Sequence, residues 1–204
     1  MRRPAALVAA TILSLAVPAA CGSSGSSGSS AGTTTTAGGE VNPNAPEQNQ
    51  PGDIPDNQVF VAYRYPDGSF TVRVPEGWSR TQAAGSVTFT DNFNSVQLST
   101  EHASAAPTVE SATSGELPAI EVAAPGYQAG SVESVSRSAG EAVRITYQAD
   151  STPDPVTGQS RTLDVERYEF FHGGTEIIVT LSGPKGADNV DPWRTVTDSL
   201  RFGS

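Results

Sequence analysis

The chain has 204 residues, of which 36% are hydrophobic and 7% aromatic, with 12 basic against 22 acidic side chains and a formal net charge of −10. There is no Gly-X-Y period, no sustained heptad and only one long uncharged run, which excludes collagen, coiled coil and polytopic membrane protein. An excess of carboxylates argues against nucleic acid as a partner, since affinity for phosphate backbones rests on clustered Lys and Arg. One cysteine, two histidines and the single lysine Lys185 leave little material for metal or nucleophile chemistry.

Residues 1–20 have the three parts of a signal peptide: basic Arg2 and Arg3, a largely apolar stretch from Pro4 to Ala20, and small residues at its end. Pro4 follows the arginine pair without a twin-arginine continuation, so the general secretory route is the expectation. Pro18 interrupts the stretch and no basic stop-transfer cluster follows, which argues against a permanent transmembrane helix. Cys21 comes next, in Leu15-Ala16-Val17-Pro18-Ala19-Ala20-Cys21-Gly22, and this resembles a bacterial lipobox. The resemblance implies a diacylglycerol on the Cys21 sulfur, cleavage just before it and further acylation, for instance by palmitate. Pro18 stands where that family prefers an aliphatic residue. Two or more acyl chains give stable anchoring, so the expected location is the outer face of the cytoplasmic membrane, with the membrane itself as partner through Cys21. The other reading is an ordinary signal peptide and a soluble product with a free thiol.

Residues 21–55 are dominated by Gly, Ser, Thr, Pro, Asn and Gln, with no aromatic side chain. Such a segment buries too little apolar surface to offset chain entropy, and a disordered tether is expected, roughly 30 Å long on average. Residues 56–204 are enough for one domain with one core.

Within that domain, Asp67-Gly68 is a turn leading into Phe70, Val72 and Val74, which alternate as a strand does. Pro75-Glu76-Gly77 breaks the chain before Trp78. Val87 with Phe89, then Val96, Leu98 and Thr100, predict two more strands. Between Pro107 and Ala124 the spacing of Val109, Ala112, Leu117 and Ile120 is helical, but Gly115 and Pro118 divide it into two short pieces. Val143, Ile145, Tyr147 and Ala149 form a period-two strand. After a turn-rich loop comes a strand over 162–172, and Gly173-Gly174 joins it as a hairpin to 176–181. Asp191-Pro192 predicts an N-cap and first helical position for a last amphipathic helix carrying Trp193, Val196, Thr197 and Leu200 on one face.

Catalytic signatures are scarce. Ser182-Gly183-Pro184-Lys185 matches S-x-x-K, but it falls in a strand-end loop with too little chain left for partner motifs. His102 and His172 end predicted strands and are expected to be exposed; a hydrolase would need one of them to meet a serine and an acid. Asp188, Asn189 and Asp191 lack the ligand spacing of a calcium loop, and Asp150 and Asp154 suit turns. Trp78, Tyr147, Tyr168 and Trp193 suit either a pocket lining or the core. The expected catalytic, cofactor and metal residues are therefore none.

At Tyr65-Pro66-Asp67-Gly68-Ser69-Phe70-Thr71-Val72-Arg73-Val74-Pro75-Glu76-Gly77-Trp78 the chain resembles the opening of PsbP-like proteins, where a strand runs into Val-Pro-x-x-Trp. The tail from Leu181 through Asn189 to Arg194 is similar to that of actinobacterial lipoproteins, including the LpqN type. The resemblance implies an α+β fold shared with the Mog protein, an antiparallel β-sheet sandwiched between helices. It also implies non-enzymatic roles, PsbP organising photosystem components and Mog binding a small GTPase. The expectation is thus a non-catalytic binding or accessory module with an envelope protein as partner, the alternative being a carrier of a small apolar or lipid ligand.

Overall fold

The structure, a computed structural model, describes residues 51–154 and 156–203. The signal peptide, Cys21 and the tether as far as residue 50 lie outside the described residues. No helix among those described is long and apolar enough to cross a membrane.

Ten strands and a few helical turns build the domain. Strands β1 (Phe60–Arg64), β2 (Phe70–Pro75) and β10 (Arg201–Phe202) form a small sheet, with β2 in the middle. The remaining strands are β3 (Ser79–Ala83), β4 (Ser86–Asp91), β5 (Asn94–His102), β6 (Gln128–Arg137), β7 (Gly140–Asp150), β8 (Thr162–His172) and β9 (Thr175–Pro184). They make a seven-stranded sheet in the order β3-β4-β5-β9-β8-β7-β6, and every pair is antiparallel. The central hairpin turns at Gly173-Gly174, whose φ of 58° and 83° supply the positive pair that a two-residue turn requires.

Alternation along the strands decides which side chains meet. Leu98, Val179 and Tyr168 lie in one row across β5, β9 and β8, and Val96 with Leu181 in the next. These residues pack under Phe70 and Val72 of the small sheet and under Val196 and Leu200, in and just after α3 (Val190–Asp198). The opposite face is covered over β7. There Ala112, Leu117 and Ile120 lie on Val143 and Ile145. The architecture is the expected α+β sandwich, with the small sheet sharing one side with α3.

Besides adding strands β1, β3, β6 and β10, which the sequence pattern does not predict, the structure differs from the sequence expectations at three places. Pro51–Pro55, assigned above to the tether, belong to the folded unit: Ile54 is 4% exposed within the main core. The last helix begins two residues earlier, with Asn189 rather than Asp191 at the N-cap, because the Asn189 carbonyl accepts the Trp193 N–H at 3.0 Å. The helical region is α1 (Val109–Ser111) and α2 (Leu117–Ala123), the two expected pieces, but they are joined by a π-helical turn, Ala112–Glu116, rather than a break. Pro118 is tolerated because it falls in the first turn of α2, where its missing N–H costs nothing.

Candidate functional site

A cleft of about 440 Å³ opens where β6, β7 and β8 run under the N-terminal end of α3. Its shape begins with an irregularity in β6. The pairing with β7 shifts register between Ala129 and Val132, and Gly130 lies so close to the Thr146 carbonyl that any side chain there would overlap it. Register then arranges the floor: Thr146 lies opposite Glu166, and Gln148 opposite Asp164, so all four project from one face. Trp193 and Val190 of α3, with Pro184, form the apolar wall.

The charged groups at this end hold one another. The Asp164 carboxylate accepts the Gln148 amide at 2.8 Å and the Gly186 N–H at 2.9 Å. Glu166 accepts the Tyr168 hydroxyl at 2.6 Å and pairs with Arg144 at 3.4 Å, while the other arm of Arg144 reaches Glu133. Arg137 donates to the Tyr168 oxygen at 2.8 Å and to Thr197 of α3 at 3.1 Å, its guanidinium 5.0 Å from the Tyr168 ring centroid. Burial and the adjacent Glu166 carboxylate push the Tyr168 hydroxyl above the ordinary phenol value. Burial opposes ionisation of Arg144, but its hydrogen bonds to Glu133 and Tyr168 and the Glu166 charge outweigh that and strengthen its hold on the proton. The cleft therefore presents fixed hydrogen-bond acceptors beside an indole, an arrangement suited to recognition. Being open and polar-floored, it is not the enclosed apolar chamber that a lipid carrier requires.

Trp193, ambiguous between pocket and core, does both, lining the cleft while packing in the main core, whereas the Tyr147 side chain packs on the opposite face of the sheet with Val143 and Ile145. Tyr168 belongs to the main core, and Trp78 is partly buried against that cluster. Asn189, which in sequence stood only beside two acidic residues, is instead a buried structural amide. Alternation of polar residues opposite Val143, Ile145 and Val165 was the signal available for Arg144, Asp164 and Glu166.

The two histidines come together in an unexpected way. His102 and His172 both pair with Thr175, one from each side, at the end of the sheet. Next to them a recess of about 240 Å³ is lined by Asp67, Ser69 and His172, the residue types of a hydrolase. Their bonding differs from a catalytic relay. Asp67 accepts the Ser69 backbone N–H at 2.7 Å and the Thr100 hydroxyl at 3.2 Å, His172 stacks on Phe202 with centroids 4.5 Å apart, and the buried Ser69 hydroxyl has no partner. A nucleophile without a bonded base is not activated. Ser182 shares a hydrogen bond of 2.8 Å with Ser95, within the sheet, while Lys185 follows β9 in the turn and bonds Thr162 through its backbone N–H. No group of three His, Cys, Asp or Glu among the described residues, Asp188 and Asp191 included, is placed to hold a metal ion. Asp150 and Asp154 tie turns, the latter by accepting the N–H groups of Val156 and Thr157. Cys21 lies outside the described residues.

No family model matches the sequence, and no curated protein matches it. Solved structures do. Cyanobacterial PsbP (CyanoP) from Synechocystis is similar with a TM-score of 0.52 at 13% identity, over 74% of this chain and 98% of that one. The Ran-binding protein Mog1p of Saccharomyces cerevisiae gives 0.49 at 9% identity, over 71% and 96%. LpqN of Mycobacterium tuberculosis, a protein involved in cell envelope biogenesis, gives 0.41 at 13% identity, over 73% and 93%. The likeness to CyanoP shows the fold, and the fold alone: this chain has the PsbP-like α+β architecture.

Proposed function

We propose that this chain is an exported lipoprotein, cleaved before Cys21 and anchored by acyl chains at the outer face of the cytoplasmic membrane. Its folded domain acts there as a non-catalytic binding or accessory module, with residues before the domain serving as a tether. The observation that carries the binding role is the cleft under α3, whose charged side chains are tied to each other, whose wall includes the largely buried Trp193 and whose rim offers the exposed Val190 to a partner. Support for the anchor comes from the sequence around Cys21. The occupant we favour is an envelope protein.

Native mass spectrometry of the full-length protein, extracted from its own membranes in mild detergent, tests both halves. The wild type is expected to carry a covalent acyl mass, absent in Cys21→Ala, together with a co-purifying envelope protein. Val190→Glu places a charge on the rim and is expected to keep the acyl mass while losing that partner. An unacylated secreted protein overturns the anchor. A partner that survives Val190→Glu overturns the cleft as the contact, and a retained small-molecule adduct moves the carrier reading ahead of it.

A further inference from the structure

On the other face of the large sheet, carboxylates outnumber their cations. Glu101 of β5 lies directly opposite Glu176 of β9, and Glu169 of β8 lies opposite Ile178, one position diagonal from Glu176 on the same face. Glu116, in the π-helical turn, approaches the same point. Arg167 serves two of the four: its Nε donates to Glu169 at 2.7 Å and its Nη2 to Glu116 at 3.1 Å. From β7, the Tyr147 phenol also interacts with Arg167. Glu169 is 0% exposed, and its Oε2 has no hydrogen-bond partner. An ionised oxygen shut away from water without a donor is costly, so the cluster is most stable when it holds protons. The titration behaviour agrees. Burial raises Glu169 against the opposing pull of Arg167, and burial together with the charges of Glu169 and Glu116 pushes Glu176 up to about 7.

Mechanically, the cluster sits at the joint between sheet and helices. The Arg167 to Glu116 ion pair ties the π-helical turn to β8, beside the small apolar contact of Ala112, Leu117 and Ile120 with Val143 and Ile145. A π-helical turn is a rare, single-turn interruption of a helix found frequently at functional sites, and this apolar cluster has only three buried members. We propose that the four-carboxylate cluster is a proton-operated latch on the segment Val109–Ala123. When Glu169 and Glu176 are protonated, Arg167 neutralises half of the remaining charge and holds Glu116 against the sheet. When both are ionised, four negative charges face one positive charge, Glu116 is repelled, and the segment lifts to uncover Val143 and Ile145.

Hydrogen exchange of the full chain, read by mass spectrometry and corrected for intrinsic exchange chemistry, tests this. Amides of residues 109–123 are expected to lose protection by about tenfold between about pH 5.5 and about pH 8, the change one pKa unit of coupling would give. Amides of β5 and β9 should keep theirs. Glu176→Gln is expected to hold the segment protected at both pH values. Equal protection of the wild type at the two pH values, or a pH response that survives in Glu176→Gln, overturns the proposal. Should that variant not fold, carboxyl NMR titration of the wild type decides: a Glu176 midpoint below about pH 5 overturns the latch, and one near neutrality supports it.

Discussion

The backbone N–H of Ile54 donates to the side-chain oxygen of Asn189 at 2.8 Å, closing 135 residues of chain. The amide nitrogen of the same Asn189 donates to the Asn94 oxygen at 3.0 Å, and Asn94 in turn donates to the Gly52 carbonyl at 3.0 Å. One buried amide pair thus fastens the start of the folded unit to β5 and to the loop before α3. Asn189 is 2% exposed, so Asn189→Ala leaves the Ile54 N–H and the Asn94 oxygen without these partners. The expected cost is about 2–4 kcal/mol, seen as a lowered urea midpoint with unchanged slope.

The amide pair also accounts for a glycine. A methyl group on Gly183 would sit 2.6 Å from both the Asn189 nitrogen and the Asn94 oxygen, and 3.4 Å from the Trp193 ring. Gly183→Ala is expected to cost about 1–3 kcal/mol, as overpacking does. Gly115 supplies the contrast: nothing lies within 4 Å of its added methyl, and it has helical surroundings. Gly115→Ala should be neutral or stabilising by up to about 1 kcal/mol. Chemical unfolding of the two variants side by side checks the opposite signs.

Trp193 is 8% exposed, and its indole N–H is buried without a hydrogen-bond partner. Removing an unsatisfied donor offsets part of the volume lost with it. Trp193→Phe is therefore expected to cost less than about 1.5 kcal/mol, whereas Trp193→Ala should cost about 3–5 kcal/mol. A Phe variant as damaged as the Ala variant in thermal unfolding would mean that the N–H is satisfied in solution.

What the sequence displayed was the set of strands with one apolar side. Phe70, Val72 and Val74, or Val143 and Ile145, are buried against polar neighbours that alternate with them, and the period is visible to anyone counting. Strand β3, Ser79–Ala83, is exposed throughout, and β6 has only Val132, Val135 and a few alanine or glycine positions; both exist because an adjacent strand offers hydrogen bonds, which is no property of their own residues. Ile54 was hidden in the same way, as one apolar residue in a polar tract whose partner is 135 positions on. The cleft was not legible either. Gln148 and Asp164 become neighbours only when β7 and β8 pair in one particular register, and a one-residue slip would put them on opposite faces.

Acid groups on the two faces of the domain pull its stability in opposite directions with pH. Burial is the largest single influence on Asp67 and opposes its ionisation, but the Ser69 and Thr100 hydrogen bonds together prevail and lower it, and the Thr157 and Val156 bonds lower Asp154. Their stabilisation is present above the ordinary aspartate value and is lost as pH falls through their folded values. Glu176 behaves in reverse. The folded state binds its proton more tightly than the unfolded chain does, so this contribution is complete below about pH 4.5 and disappears as pH rises through about 7. Glu169, raised by burial, adds to the same trend. The wild type is therefore expected to lose stability as pH rises from about 5 to about 7.5, where most proteins vary little. Glu176→Gln, which keeps the shape and cannot ionise, should flatten that slope and leave the acid limb below about pH 4 unchanged, because Asp67 and Asp154 still govern it. Urea midpoints measured across this range for both proteins decide the matter: a wild-type profile that is flat or rising between about pH 5 and 7.5 would show that Glu176 is ionised throughout.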